Sequence, residues 1–374
     1  YVFKENKQKN IGLKETNVLS LSYGNIKEKN IDDNKGLLPE SFETYQIIEP
    51  NDIIFRFTDL QNDKRSLRSA ISKYHGIITS AYIGVKTKEN ADFYNYLFRA
   101  YDLQKVFYSM GEGMRQSLKM DELNRMPVVL PNKDEQKRNV SFLDTETARI
   151  DNLIAKQEKL IELLEEQRKS IISHAVTKGL NPNAPMKDSG VEWLGDVPEH
   201  WRISSLKRYG YFKGGAGFPH AYQGNTEENI PFFKVNSLSK DKRFLSSFSD
   251  FVGEETAKKL GAKIFPKNSI FFAKVGAALL LERIRTNQQP CCIDNNMMGF
   301  VIQNELSFDF AFYLMSLIDF KYLVNPGAVP SINESQISSF LISVPPISEQ
   351  TQIANYLDTE TARIDNLIAK QEKL

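Results

Sequence analysis

Hydrophobic residues recur at helical spacing in the stretch that follows Asn132. No proline or glycine lies between Asn132 and Lys178, so the pattern predicts one helix of about 45 residues, roughly 68 Å long. Polar residues interrupt the apolar seam, which favours an intramolecular helix pair over a long self-dimerising zipper. Counted as heptads from Leu143, the a positions are Leu143, Ile150, Gln157, Leu164 and Ile171, and the d positions are Glu146, Leu153, Leu160, Gln167 and His174.

Part of this helix occurs twice without a change. The sequence LDTETARIDNLIAKQEKL runs over Leu143–Leu160 and again over Leu357–Leu374, an offset of 357 − 143 = 214. Weaker matches continue upstream at the same offset, such as Pro131 with Pro345. We predict that the two copies form an antiparallel pair related by a pseudo-two-fold axis. Its seam would comprise Leu143, Ile150, Leu153, Leu160, Leu357, Ile364, Leu367 and Leu374.

Outside the helices, short apolar runs alternate irregularly with short amphipathic stretches. The patterns predict strands at 44–48, 52–57, 76–85, 269–273 and 298–303, and helices at 91–101 and 308–317. This texture is typical of an α+β fold. The predicted architecture is two globular α/β domains separated by long antiparallel coiled-coil helices. The predicted divisions are domain one at 1–132, helix one at 133–180, a linker at 181–200, domain two at 201–346 and helix two at 347–374.

Composition is that of an ordinary soluble protein. The 374 residues include 48 basic and 47 acidic side chains, and no apolar run approaches the roughly 18 residues that span a bilayer. The opening VFKENKQKN lacks the apolar core of a secretion signal, so we expect a cytoplasmic protein without membrane contact. Cys291 and Cys292 are adjacent, which favours buried small hydrophobes, and the four histidines lack metal-ligand spacing.

Charge is distributed unevenly along the chain. Basic residues cluster in the first globular region, at Lys64, Arg65, Arg68 and Lys73, and are spread through the second, whereas acidic residues concentrate around the repeated helix. For any single lysine, a solvated surface charge is the simpler interpretation. Two basic domains on either side of a mixed-charge helix nevertheless indicate two separate contacts with a polyanion.

Motifs for catalysis are weak. The run FKGGAGF at 212–218 is similar to a loop that methyltransferases use for S-adenosylmethionine, but it follows no clear strand of a βαβ unit. The tetrapeptide Val344-Pro345-Pro346-Ile347 lacks the Asn or Asp at the first position and the aromatic residue at the last position of the adenine methyltransferase motif. We therefore expect catalysis to reside in a partner.

A series of motifs in a fixed order resembles the specificity (S) subunit of type I restriction-modification systems, over nearly the whole chain. The motifs are EWLGDVPEHW, FKGGAGFP, IPFFKVNSL, NSIFFAKVGAALL, NPGAVPSINESQI, VPPISEQTQIANYLD and HAVTKGLNP. Two departures stand out. The first module has no counterpart to Trp201–Lys207 and the second has none to Ile161–Leu180, so we expect a chain trimmed or incompletely represented at both ends.

The resemblance implies a non-catalytic subunit with two target recognition domains, each reading one half of a split sequence in double-stranded DNA. It further implies that the conserved helices act as a spacer and dock two methyltransferase (modification) subunits, with restriction/translocase subunits completing the complex. S-adenosylmethionine is then expected in the partner methyltransferase, with no cofactor in this chain. The alternatives are a DNA methyltransferase or fused restriction enzyme fragment with its own recognition domains, and a purely structural helical scaffold.

Candidate site residues follow from the chemistry of DNA contacts. Lysine and arginine bind phosphates, and arginine, asparagine, glutamine and serine at loop tips read base edges. Residues 113–117 align with residues 327–331 but carry different side chains. The two segments are either loops that read different bases or plain glycine turns. The DNA-binding candidates are Arg56, Lys64, Arg65, Arg68, Arg115, Gln116, Ser117, Lys213, Lys234, Asn236, Lys274, Arg283 and Ser331. The partner-binding candidates are Arg149, Lys156, Lys159, Arg363, Lys370 and Lys373, and we predict no catalytic or metal-ligating residue.

Overall fold

The computed structural model divides into two compact units, Tyr1–Ala155 and Lys156–Leu374. It describes residues 2–30, 41–58, 60, 67–110, 117–238, 243–245, 250–324 and 329–373. The boundary between the units falls inside the long helix, because each part of that helix packs on a different globular region. The predicted domain limits, which place the whole helix apart from both domains, stay a prediction.

Unit 1 is a mixed α/β body built on a four-stranded antiparallel sheet. Its elements are β1 (Phe3–Glu5), β2 (Leu19–Ser22), β3 (Asn25–Glu28), β4 (Gln46–Ile48), β5 (Ile53–Phe55), β6 (Ser69–Ile71), β7 (Gly76–Ile78), β8 (Ile83–Thr87), α1 (Ala91–Leu103), α2 (Met120–Leu123) and the start of α3 (Lys133–Lys178). The sheet order is β1-β8-β5-β6, and β2-β3 and β4-β7 form separate pairs.

The core of unit 1 joins its sheet to the long helix. Ile53 and Phe55 of β5 are fully buried against Phe93 and Phe98 of α1, and Val140 of α3 belongs to the same cluster. The apolar face of α1 thus covers one side of the sheet, and α3 starts on that face. The burial of these side chains supplies the non-directional attraction that holds the three elements together.

Unit 2 repeats this architecture with a larger sheet system. Its elements are β9 (Met186–Asp188), β10 (Asp196–Pro198), β11 (Arg202–Ser205), β12 (Gly210–Gly214), β13 (Ile230–Phe233), β14 (Phe251–Val252), α4 (Glu254–Lys259), β15 (Ile270–Ala273), β16 (Arg285–Thr286), β17 (Cys292–Ile293), β18 (Met297–Ile302), α5 (Phe308–Met315), α6 (Glu334–Ser338), β19 (Leu341–Val344) and α7 (Ile347–Gln371). Its four-stranded sheet has the order β12-β18-β15-β16, the same permutation as in unit 1.

In both sheets the second strand along the chain pairs antiparallel with the fourth. Ile53 of β5 lies opposite Val85 of β8, and Ile270 of β15 lies opposite Phe300 of β18. The two units are thus copies of one fold, although their sequences have diverged. The predicted α+β fold with an internal repeat is confirmed.

One predicted strand was wrong in its extent. Residues 76–85 form two strands, β7 and β8, that belong to different sheets. The chain turns between them, and the Gln46 side-chain amide stabilises this turn by donating hydrogen bonds to the carbonyls of Thr79 and Tyr82. An uninterrupted run of β-forming residues does not reveal such a turn.

The two long helices are confirmed, and within unit 2 they run antiparallel. Arg168 of α3 forms an ion pair with Asp365 of α7. Farther along α3, Ile172 and Val176 share a core with Leu357, which precedes Asp365. Increasing residue number on one helix therefore corresponds to decreasing number on the other.

The predicted pairing of the two identical copies with each other was wrong. With Arg168 opposite Asp365, paired residue numbers sum to 168 + 365 = 533, which places the second copy opposite residues 159–176. Burial differs accordingly: Ile150 of the first copy is 49% exposed, whereas the equivalent Ile364 is 3% exposed. Leu374 lies outside the described residues.

Candidate nucleic-acid interface

Five polar and glycine residues of unit 2 come together beside the end of β12. We call Lys213, Gly214, Lys274, Ser331 and Glu334 the Gly214 patch. The Glu334 carboxylate accepts a 2.9 Å hydrogen bond from the Gly214 N–H and lies 3.6 Å from the Lys213 ammonium. The Lys274 ammonium lies 2.8 Å from the point where a Cβ on Gly214 would stand. Three of the predicted DNA-binding residues, distant in sequence, thus share one patch.

Backbone pairing explains why this patch forms. Lys274 follows the buried strand β15, and its carbonyl accepts a hydrogen bond from the Ile332 N–H at 3.0 Å. Val275 and Ser331 form an antiparallel bridge. Asn333 and Gln336 close a capping box at the start of α6, which places Glu334 in the first turn of that helix. The side chains of Lys213 and Glu334 are 55% and 44% exposed, so the patch faces solvent.

A second group of candidates surrounds the helical turn Val235–Ser237. Lys234 pairs with Asp250 at 2.9 Å and donates to Gln223 at 3.0 Å, so its ammonium is largely committed within the unit. Arg283 donates to the Leu238 carbonyl at 3.0 Å, while Asn236 is exposed. Of these three candidates, Asn236 alone is exposed, and all three stay predictions.

The structure places one candidate of unit 1 in the core. Arg68 has no exposed surface and its guanidinium donates to the Thr58 carbonyl at 3.2 Å. Its backbone N–H binds the Asp102 carboxylate at 2.6 Å. A guanidinium held in this way is structural and cannot reach a duplex, so the interpretation of Arg68 as a DNA contact is corrected.

The other candidates of unit 1 are less constrained. Arg56 is half-buried at the end of β5, and Ser117 is exposed. Lys64, Arg65, Arg115 and Gln116 lie outside the described residues. These six residues stay predictions.

The candidate partner surface lies on the outer faces of the long helices. Arg149 pairs with Glu146 at 2.9 Å, and the equivalent Arg363 pairs with Glu360 at 3.2 Å. Their side chains are 65% and 69% exposed. All remaining candidates of this set are exposed too: Lys156, Lys159, Lys370 and Lys373.

The glycine-rich run is explained by close backbone packing. A Cβ on Gly215 would lie 2.1 Å from the carbonyl oxygen of Asp294, so only glycine fits where the chain crosses the β17–β18 turn.

The two cysteines, Cys291 and Cys292, are fully buried, which confirms their interpretation as core residues. Burial raises the pKa of both thiols, to about 11 for Cys292.

The described residues hold neither a candidate metal site nor a candidate membrane span. No cluster of three or more His, Cys, Asp or Glu side chains there could hold a metal ion. No helix in that part of the chain is both long enough and apolar enough to cross a bilayer.

Sequence reasoning missed Glu334 and also missed Tyr96 and Tyr313, whose hydroxyls donate hydrogen bonds to the repeated helix sequence. Glu334 stands three residues after Ser331 within the capping-box pattern, which was the available signal. The tyrosines occur at matching places of the repeat, as Tyr-Leu pairs at 96–97 and 313–314.

Comparison with known proteins identifies the family. Residues 69–163 and 198–374 match the type I restriction modification DNA specificity domain. The chain is 25% identical over 311 residues to the MjaVIII specificity subunit of Methanocaldococcus jannaschii, covering 80% of this chain and 69% of that protein. It is 26% identical over 384 residues to a putative MjaX specificity subunit of the same organism, covering 99% and 84%.

Solved structures share the fold. A chain from work on complex assembly and conformational transition of the type I R-M system superposes with a TM-score of 0.72 at 14% identity, covering 99% of this chain and 90% of that one. The HsdS subunit from Thermoanaerobacter tengcongensis gives 0.55 at 13% identity, covering 99% and 88%.

These matches do not favour a methyltransferase or fused restriction enzyme. The family match covers most of both units, and the duplicated α+β fold agrees with it. The chain therefore belongs to the type I restriction-modification DNA specificity family, as a specificity subunit with two target recognition domains.

Proposed function

We propose that the chain is non-catalytic and that each unit reads one half of a bipartite DNA target. The observation that carries this proposal is that one fold occurs in two copies whose sequences differ outside the repeated helix. Two bodies of one architecture present their loops in equivalent ways, so different side chains on those loops read different bases.

In unit 2, the Gly214 patch supports a phosphate contact. Lys213 and Lys274 flank a backbone N–H that already binds the Glu334 carboxylate. A phosphate oxygen has the same acceptor chemistry as that carboxylate and is attracted by both ammonium groups. Ser331 and the exposed Asn236 supply polar groups suited to base edges.

The partners that we propose are two methyltransferase subunits and restriction/translocase subunits, with S-adenosylmethionine bound by the methyltransferase. Support comes from the exposed positions of the repeated helix sequence. Arg149 and Arg363 keep the same residue and the same intrahelical ion pair, although core packing does not constrain exposed positions. If two identical methyltransferase subunits bind the two copies of the helix sequence through the same surface, both copies have to keep the same exposed residues.

Domain exchange tests the division of labour. Residues 202–340 are replaced by the corresponding region of another specificity subunit, and the methylated sequence is determined in cells that carry the partner subunits. We expect one half of the target to change and the other half to persist. A change in both halves, or in neither, would contradict the proposal.

Binding by the purified chain tests the absence of catalysis. We expect no S-adenosylmethionine binding by isothermal titration calorimetry with this chain alone. Binding of S-adenosylmethionine together with methyl transfer by the isolated chain would favour the methyltransferase alternative.

A further inference from the structure

One set of hydrogen bonds occurs in both units at the place where the globular body meets its long helix. The Tyr96 hydroxyl donates to Asp144 Oδ1 at 2.8 Å and lies 3.4 Å from Thr147 Oγ1. The Tyr313 hydroxyl donates to Asp358 Oδ1 at 2.6 Å and lies 3.3 Å from Thr361 Oγ1. The aspartate and the threonine that contact this hydroxyl are identical residues of the repeated helix in the two units.

A buried glutamine completes this set in each unit. Gln136 Oε1 accepts from the Asn90 N–H at 3.1 Å, and Gln350 Oε1 accepts from the Ser307 N–H at 2.7 Å. Both glutamines are fully buried, and each Nε2 also donates to the carbonyl of the proline five residues earlier, at 2.8 and 2.9 Å. Both units thus share the tyrosine contact and the glutamine contact between the globular body and its long helix.

The residues on the globular side follow one short pattern. Asn90 and Ser307 are the N-caps of α1 and α5, and each side chain accepts a hydrogen bond from the N–H of the phenylalanine three residues later. The tyrosine comes six residues after the cap in both units. The shared pattern is Asn/Ser-x-Asp-Phe-x-x-Tyr, over 90–96 and 307–313. We call this pattern, with its glutamine and aspartate acceptors, the latch.

Physical chemistry distinguishes the latch from the surrounding packing. The apolar cluster beneath it, to which Phe310 and Leu357 both belong, provides attraction without a strong directional preference. Hydrogen bonds to a carboxylate are directional and strong, so they oppose sliding and rotation of α1 on α3 and of α5 on α7. Burial and the hydrogen bond to Asp358 raise the pKa of Tyr313 to about 12, so its hydroxyl keeps the donated proton.

We propose that the latch is a positioning device for DNA recognition: it fixes the orientation of each recognition body on its own helix, and so sets which half-site spacing the protein accepts. This inference rests on the proposed function. Adding one base pair between half-sites rotates one relative to the other by about 35°. Bodies held at a fixed orientation reject that change, whereas loosened bodies tolerate it.

Selection from a duplex library tests the proposal in the complex with the methyltransferase subunits. One pool of duplexes carries both half-sites at every spacer length and reports the preferred spacing. A parallel pool has all half-site positions randomised and reports the preferred bases. For Tyr96→Phe combined with Tyr313→Phe, we expect unchanged half-site bases. Binding to duplexes one base pair too long or too short should rise about tenfold relative to the preferred spacer.

Matched variants separate positioning from general damage. Tyr94→Phe removes a hydroxyl from the same helix α1, but its hydrogen bond goes to the Val129 carbonyl rather than to α3, so the spacer preference should not change. Asp144→Asn keeps an acceptor oxygen and should preserve the preference, whereas Asp144→Ala should relax it. Because Asp144 is exposed, these two variants remain informative if the double tyrosine variant fails to fold.

The outcomes are distinguishable. Folded latch variants that select the wild-type half-sites with the wild-type spacer distribution would overturn the latch and leave the proposed function intact. A wild-type complex that selects no bipartite sequence would instead overturn the proposed function itself.

Discussion

Glu334 is the one carboxylate of the Gly214 patch, which we propose as a DNA contact. It neutralises part of the charge of Lys213 and occupies the N–H of Gly214. A bound phosphate would have to displace it or share these donors with it. We therefore expect this residue to weaken non-specific attraction to DNA while it holds the Gly214 patch in shape.

Replacing this carboxylate by its amide tests that role. Glu334→Gln keeps an acceptor for the Gly214 N–H but removes the negative charge, so we expect affinity for non-specific duplex to rise by up to about fivefold at low salt. The gain should shrink at high salt because exposed charges are screened. Fluorescence anisotropy at several salt concentrations measures it.

The control is Glu305→Gln, which removes the same charge from an exposed pair with Arg202 in the same unit. An equal gain in that variant would mean that only net charge matters. The assignment of the Gly214 patch would then lose its support.

Among the elements, α3 and α7 offer a comparison of identical sequences in different surroundings. Ile150 and Ile364 have the same neighbours along the chain, but Ile150 is 49% exposed and Ile364 is 3% exposed. Local helix propensity cancels between them, so any difference in the effect of a substitution comes from packing.

We expect Ile364→Asp to lower the free energy of unfolding by about 3 kcal/mol or more, because it buries a charge without a partner. Ile150→Asp should cost less than about 1 kcal/mol. Denaturant unfolding monitored by circular dichroism measures both. Equal losses in the two variants would contradict the antiparallel register described for unit 2.

For the molecule as a whole, the duplication predicts the stoichiometry of assembly. If the repeated helix surface binds one kind of partner twice, then Arg149→Glu alone and Arg363→Glu alone should each reduce two bound methyltransferase subunits to one. The double reversal should leave none. Native mass spectrometry of the reconstituted complex counts the subunits.

Arg138→Glu provides the control, because this exposed position of α3 lies outside the repeated sequence and its equivalent at the 214 offset is Gln352. It should leave two subunits bound. Two bound subunits in the double reversal would place the partner surface elsewhere on the molecule.

The sequence by itself determined the features that depend on local pattern. Heptad spacing without proline or glycine predicted α3 and α7, since a helix of this length satisfies its own backbone hydrogen bonds. Apolar runs located β5, β15 and β18, and an identical stretch of eighteen residues revealed the duplication. The order of motifs was enough to name the family.

Only the tertiary structure decided which residues share an environment. Sequence gave no sign that Arg68 is enclosed by the core, that Glu334 faces Lys213, or that Ile150 and Ile364 differ in burial. These properties depend on contacts between residues far apart in the chain. The physical reason is that burial and pairing depend on which surfaces of the folded chain meet. An identical helix sequence packs against other elements of the chain in one copy and faces solvent in the other.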